Sequence, residues 1–163
     1  MVKKDVTTLR EQLDSYIHHG YLDINSFDNP DDEAAKALTE LSCLDRTLCE
    51  QYCKFILESS EIGDIYLDSR CIAHLFNLNK EYGLDYAQKN VLTMSAPVLE
   101  AVMEGLDMYS KTPFRIHFST ELIANIKKRY DELASDDAIR SMLDHSYEWF
   151  KRMYLIPAGL LDD

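Results

Sequence analysis

The stretch Asn29-Pro30-Asp31-Asp32-Glu33-Ala34-Ala35-Lys36-Ala37-Leu38-Thr39-Glu40-Leu41 decides how the rest of the chain is read. Asn is a preferred helix cap, Pro fits the first helical position because the N–H it lacks would have no partner there, and acids in the first turn face the positive end of the helix dipole. Ala34, Ala37, Leu38 and Leu41 then recur at helical spacing, so one apolar stripe follows a complete start signal.

The same pattern repeats outward from this segment. Upstream, Leu9, Leu13, Tyr16 and Ile17 mark a helix from Asp5 to His19, with Gly20 able to take the left-handed closing conformation, and Tyr21 to Asn29 reads as a loop. Downstream, a break near Ser42 to Asp45 leads to a third helix carrying Leu48, Cys49, Tyr52, Phe55 and Ile56 on its buried face. Gly63 interrupts, and Asp64 caps a fourth helix with Leu67, Cys71, Ile72, Leu75 and Phe76, expected to end around Tyr82-Gly83. A shorter fifth helix spans about Asp85 to Met94. Ser95-Ala96-Pro97 starts a sixth, with Val98, Ala101, Val102, Leu106 and Tyr109, closed by Lys111-Thr112-Pro113. Phe114 to Phe118 alternates apolar and polar residues and predicts a short extended crossing. Ser119 or Thr120 opens a seventh helix (Leu122, Ile123, Ile126, Tyr130), and Ser135-Asp136-Asp137 opens an eighth (Ile139, Met142, Leu143, Tyr147, Phe150). The end, Leu155 to Leu161, is apolar but broken by Pro157 and Gly159 and predicts an irregular tail.

The expected fold is therefore all-α, with about eight helices in antiparallel pairs. Five Gly and four Pro leave little material for hairpins or for a flexible linker, and 163 residues suffice for a single helical domain spanning 1–163. Ala37-Leu38 with Leu41, Cys71-Ile72 with Leu75, and Val102-Met103 with Leu106 share a small pattern offset by 34 and 31 residues. That periodicity fits HEAT-like stacked helix pairs; an irregular bundle is the other arrangement compatible with it.

Charge is strongly segregated. Residues 1–110 hold 20 Asp or Glu against 9 Lys or Arg, whereas residues 111–163 hold 9 against 8, so almost all of the net −12 lies in the acidic section. Such a field repels nucleic-acid backbones and anionic membranes and attracts cationic partners. No run of 18 apolar residues occurs and no apolar leader follows Met1, which predicts a cytoplasmic protein without a membrane segment.

The carboxylates also form stripes. Glu100, Glu104 and Asp107 fall at i, i+4 and i+7 on the sixth helix, and Glu61, Asp64 and Asp68 are similarly spaced around the start of the fourth. Like charges at this spacing oppose helix formation by a few tenths of a kcal/mol per pair. They are explained either as a solvated face or as an anion-rich docking surface, on which Tyr66 and Tyr109 supply large amphipathic contacts. Lys127-Lys128-Arg129 spreads around its helix rather than forming a basic stripe, and a helix-surface or salt-bridging role is expected.

Signs of chemistry are sparse. Cys49 with Cys53 and Cys71 with His74 have spacings that can share a helix face, yet both pairs lie on apolar stripes where Cys acts as a small hydrophobe. No calcium-loop spacing, nucleophile elbow, His-Glu-x-x-His or phosphate-binding loop is present, so the expectation is no enzyme, no metal and no cofactor.

Small size, an all-helical pattern, acidity and the absence of a catalytic motif together resemble the helical immunity proteins of bacterial contact-dependent and polymorphic toxin systems. That resemblance implies a protein that covers the active site of a cognate, basic toxin domain with an acidic surface. On this chain the surface would comprise Glu100, Glu104 and Asp107, helped by Asp64 and Asp68, with Tyr66 or Tyr109 as anchors. The alternative expectation is a helical adaptor holding a peptide or protein in an interhelical groove, and a more remote one is a small enzyme or metal protein using the Cys and His residues.

Overall fold

In a computed structural model, residues 5–110 and 119–161 are described, the side chains of residues 108–110 excepted. All regular structure among them is helical, with eight α-helices, and the chain divides into two compact units, Met1–Lys80 and Glu81–Asp163.

The first unit holds α1 (Val6–His19), α2 (Pro30–Leu44), α3 (Arg46–Glu58) and α4 (Ile65–Leu78). Each start is fixed by a short polar side chain that accepts otherwise unpaired N–H groups. Asp5 accepts from Thr8 N at 2.8 Å, Asn29 from Asp31 N at 2.9 Å, and Asp64 from Tyr66 N at 3.0 Å and Leu67 N at 2.8 Å. Asp45 serves two helices, ending α2 through its own N–H to Leu41 O and opening α3 by accepting from Leu48 N at 2.9 Å. The predicted break is thus a one-residue corner. α3 packs on α2 and α4, and α2 also packs on α1 and α4. Leu9, Leu13, Leu38, Leu41, Ile56, Leu67, Ile72, Leu75 and Phe76 form a fully buried core.

Two expectations in this unit need correction. Phe55 is not part of the buried stripe: it is 50% exposed, because the α3 face turned to α2 and α4 is taken by Cys49, Tyr52, Cys53 and Ile56. The fourth helix ends at Leu78, well before Tyr82-Gly83. Asn79 leaves the helical conformation (φ −148°, ψ 82°) while its side-chain amide donates to Glu50 Oε1 at 2.7 Å, and that bond from α3 is invisible in the local sequence. α5 then runs Lys80–Asn90, with Gly83 buried inside it and a 3-10 turn at Val91–Thr93, where Asp85 to Met94 was expected.

The second unit contains α6 (Ala96–Ser110), α7 (Thr120–Leu133) and α8 (Asp137–Phe150), followed by a π-helical turn at Lys151–Leu155. Ser119 caps α7 and Asp136 caps α8, as their sequences predict. α6 packs on α8 and α7, while α7 also meets the Val91–Thr93 turn and the π-helical turn. The Tyr130 and Tyr147 rings stack with centroids 3.4 Å apart, and the buried Tyr154 hydroxyl donates to Leu106 O at 2.8 Å, tying the end of the chain to α6. Leu155 is buried, and the residues after it are turns and bends, in keeping with an irregular tail. The expected extended piece Phe114 to Phe118 lies outside the described residues. All three copies of the small repeated pattern, at Ala37, Cys71 and Val102, lie on the buried side of their helices.

Gly63 sets the entry into α4. Its φ of +82° is left-handed, and a Cβ there would approach Leu67 Cδ2 to 2.9 Å, whereas Gly20 (φ +79°) has nothing within 4 Å of its own Cβ position. Gly63→Ala is therefore expected to lose about 1–2 kcal/mol in urea unfolding and more than Gly20→Ala, which carries only the backbone penalty. Equal losses would show that the Leu67 contact relaxes freely.

Candidate functional site

α6 is almost entirely buried. From Ala96 to Asp107 every residue lies in the core except Glu100, Glu104 and Asp107. The i, i+4, i+7 spacing places these three along one edge, so between Ala96 and Asp107 the residues that meet solvent are carboxylates alone. Burial, and secondly the charge of Glu104, raise the Glu100 carboxyl above the usual range, with His145 of α8 acting in the opposite sense. Neither Glu100 nor Glu104 has an ion pair or hydrogen bond among the described residues.

The neighbouring helices of the same unit behave differently. Lys127 pairs with Asp131 at 2.6 Å, Arg129 with Glu132 at 3.0 Å, and Arg140 with Asp137. Arg129 also donates to Met94 O at 2.8 Å, so Lys127 and Arg129 of the basic run are engaged in local bonds. Beside the α6 edge, Met103, Glu104, Asp107, His145, Ser146 and Trp149 line a cleft of about 110 Å³. His145, Ser146 and Trp149 were not singled out from the sequence as partners of the α6 stripe. Their i, i+1, i+4 placement on α8 was legible, but nothing local tells which helix they face.

The second predicted group lies in the first unit. Asp64 is the cap of α4 and spends one carboxylate oxygen on two backbone N–H groups. Asp68 sits one turn on, half-buried, and burial together with the charges of Asp64 and Asp31 pushes its carboxyl up to about 6. Asp31, in the first turn of α2, accepts a hydrogen bond from the Tyr16 hydroxyl, whose proton is held by burial and by that carboxylate. Tyr66 is 61% exposed beside them, with Ile65 also exposed. Glu61 precedes α4 and is not part of its helical stripe. Sequence reading found Asp64, Asp68 and Tyr66 but missed Tyr16 and Asp31, which reach the cluster from other helices. The Tyr109 side chain lies outside the described ones.

The thiols tell a structural story. Cys49, Cys53 and Cys71 are buried and unbridged, and Cys43 is exposed. Cys49 donates to Leu38 O at 3.4 Å, and its hydrogen bonding with Cys53, followed by burial, pushes the thiol up, away from the reactive thiolate. His74 is lowered by burial and then by Arg70, and its Nε2 lies 3.4 Å from Thr39 Oγ1. Among the described residues no three His, Cys, Asp or Glu side chains converge in a way that would hold a metal ion.

No protein-family model matches the chain, and a search of curated proteins finds no match. Among the described residues no helix is long and apolar enough to cross a membrane.

Asp68 gives a test of these electrostatics. Its folded value of about 6 exceeds the ordinary 3.8, so the folded state takes up the proton more readily than the unfolded chain. Stability from this group is present in acid, declines as pH rises from about 4 to 6, and above that the ionised carboxylate opposes folding. Asp68→Asn should therefore be more stable than wild type by roughly 1 kcal/mol at pH 7.5, a figure reduced for partial solvent screening, and the gain should vanish near pH 4. A gain independent of pH, followed by urea unfolding, would contradict the assignment.

Proposed function

We propose that the protein binds a basic protein partner through the α6 edge and, as the resemblance to bacterial helical immunity proteins implies, neutralises a cognate toxin domain in the cytoplasm by covering its active site. The observation that carries this reading is the α6 edge itself: from Ala96 to Asp107 three residues meet solvent, and all three are acidic. A buried helix needs polar residues where it meets water, but solubility alone does not select one sign or omit every Lys and Arg. Glu100 is half-buried and raised by Glu104, a repulsion that a cationic partner would relieve.

In this mechanism the carboxylates occupy the positions that substrate phosphates would take against the toxin's Lys and Arg side chains. Long-range attraction speeds encounter, and steric cover then excludes substrate. Tyr66 with Asp64 and Asp68 in the first unit is a second acidic patch with an exposed aromatic, suited to the same class of partner.

One feature favours the adaptor reading. In the first unit Ile17, Leu48 and Phe55, with Arg10, Asp14 and Gln51, line a groove of about 360 Å³. The apolar side chains in its lining and the half-exposed Phe55 suit a helical segment of a partner.

Capture from the native host separates these readings. Wild type should recover a protein with a basic enzymatic domain and inhibit it, whereas Glu100→Lys/Glu104→Lys/Asp107→Lys should lose inhibition by at least about 100-fold, as several like charges are brought face to face. Equal inhibition by both would remove the α6 edge from the mechanism. If Phe55→Asp alone abolished capture, the adaptor reading would replace it.

A further inference from the structure

The loop between α1 and α2 sets two large apolar side chains in water and fixes them there. Ile24 is 72% exposed and Phe27 fully so, although Leu22 just before them is buried. The loop itself is held by polar bonds. Asp23 accepts from Asn25 N at 2.9 Å through its side chain and from Ser26 N at 3.0 Å through its carbonyl. Asp28 N donates to Ser26 Oγ at 3.2 Å, and that hydroxyl donates to Glu33 Oε1 of α2 at 2.9 Å. A segment ordered in this way loses little further freedom when it docks, so Ile24 and Phe27 form a preformed knob.

The same unit carries a hole of fitting size. The groove of about 360 Å³ lined from α1 and α3 has Ile17, Leu48 and Phe55 in its walls, with room for an aromatic ring and a branched aliphatic side chain. Charge decides what enters it. From Tyr21 to Ala35 the chain has five acids, Asp23, Asp28, Asp31, Asp32 and Glu33, and no Lys or Arg, so most faces of an acidic protein repel this loop. The only acid in the groove lining among the described residues, Asp14, already accepts from the Tyr52 hydroxyl. Arg10 is 66% exposed and keeps a long 3.8 Å contact with Asp14, which leaves guanidinium donors for the loop's aspartates.

We infer that this groove receives the Ile24–Phe27 loop of a second copy of the chain, with Phe27 seated against Leu48 and Phe55 and Arg10 facing Asp23 or Asp28. So small a contact falls below the roughly 1,200 Å² at which stable interfaces begin, and the self-association is weak, with a dissociation constant on the order of 0.1 mM. Two copies that exchange loops about a two-fold axis close as a dimer, whereas one-way insertion extends into chains. The inference does not depend on the α6 edge, which belongs to the other unit.

Sedimentation of the whole chain from about 10 µM to about 1 mM tests it, at about 0.15 M salt so that the net charge is screened beyond about 8 Å. The weight-average mass of wild type should rise with concentration. Phe27→Ser removes the knob and Phe55→Ser the wall of the hole, each at an exposed position and with no change in net charge. Each variant alone should associate at least about tenfold more weakly, with helical circular dichroism unchanged. An equimolar mixture, in which one variant supplies the loop and the other the groove, should form pairs at least about threefold tighter than either variant alone. Wild type that stays monomeric throughout the range overturns the inference and leaves the groove to a helical segment of another protein. Self-association untouched by Phe27→Ser, or a mixture no tighter than its parts, overturns it as well.

Discussion

The burial of α6 is the constraint on which the second unit depends. Val98, Leu99, Val102, Met103 and Leu106 face its core, and Tyr154 returns from the chain's end to bond the Leu106 carbonyl. A helix so enclosed has few positions at which it can carry charge, and those positions must lie on one edge. Placing Glu100, Glu104 and Asp107 there concentrates three carboxylates without intervening cations, at a small intrahelical cost. Packing thus turns an ordinary acidic composition into a directed surface. α7 and α8 are amphipathic helices with broader wet faces, and several of their charges balance locally.

The first unit shows the same tension in another form. Two helix starts, those of α2 and α4, bring Asp31, Asp64 and Asp68 within electrostatic reach. Each carboxylate is locally sensible, since a helix N-terminus favours negative charge. Together they oppose one another, and the partly buried Asp68 carries the penalty as a raised pKa. Strongly perturbed groups of this kind cluster at functional sites, and Tyr66 lies exposed beside them.

The helices were legible because their signals are local. Asn29, Asp64, Ser119 and Asp136 each cap through side-chain bonds to N–H groups two or three residues on, and sequence order alone reveals such bonds. The end of α4 was not legible, because the Asn79 amide donates to Glu50 on another helix, while Gly83 looked like a stop and is instead a buried helical residue. Phe55 was misplaced for a related reason: helical spacing alone cannot tell the centre of an apolar face from its rim. The α6 stripe followed from spacing within one helix, whereas the cleft beside it needs α8, whose His145, Ser146 and Trp149 meet α6 only through tertiary packing.

The central claim, that the α6 edge steers and holds a basic partner, is tested most directly by the ionic-strength dependence of the association rate. The comparison is between wild type and Glu100→Gln/Glu104→Gln/Asp107→Gln, each binding the captured partner. Wild type should associate faster at low salt and slow steeply as salt screens the edge, and the neutralised variant should show a much shallower dependence. Parallel slopes for the two proteins would contradict the account, because the attraction would then arise from charges elsewhere on the molecule.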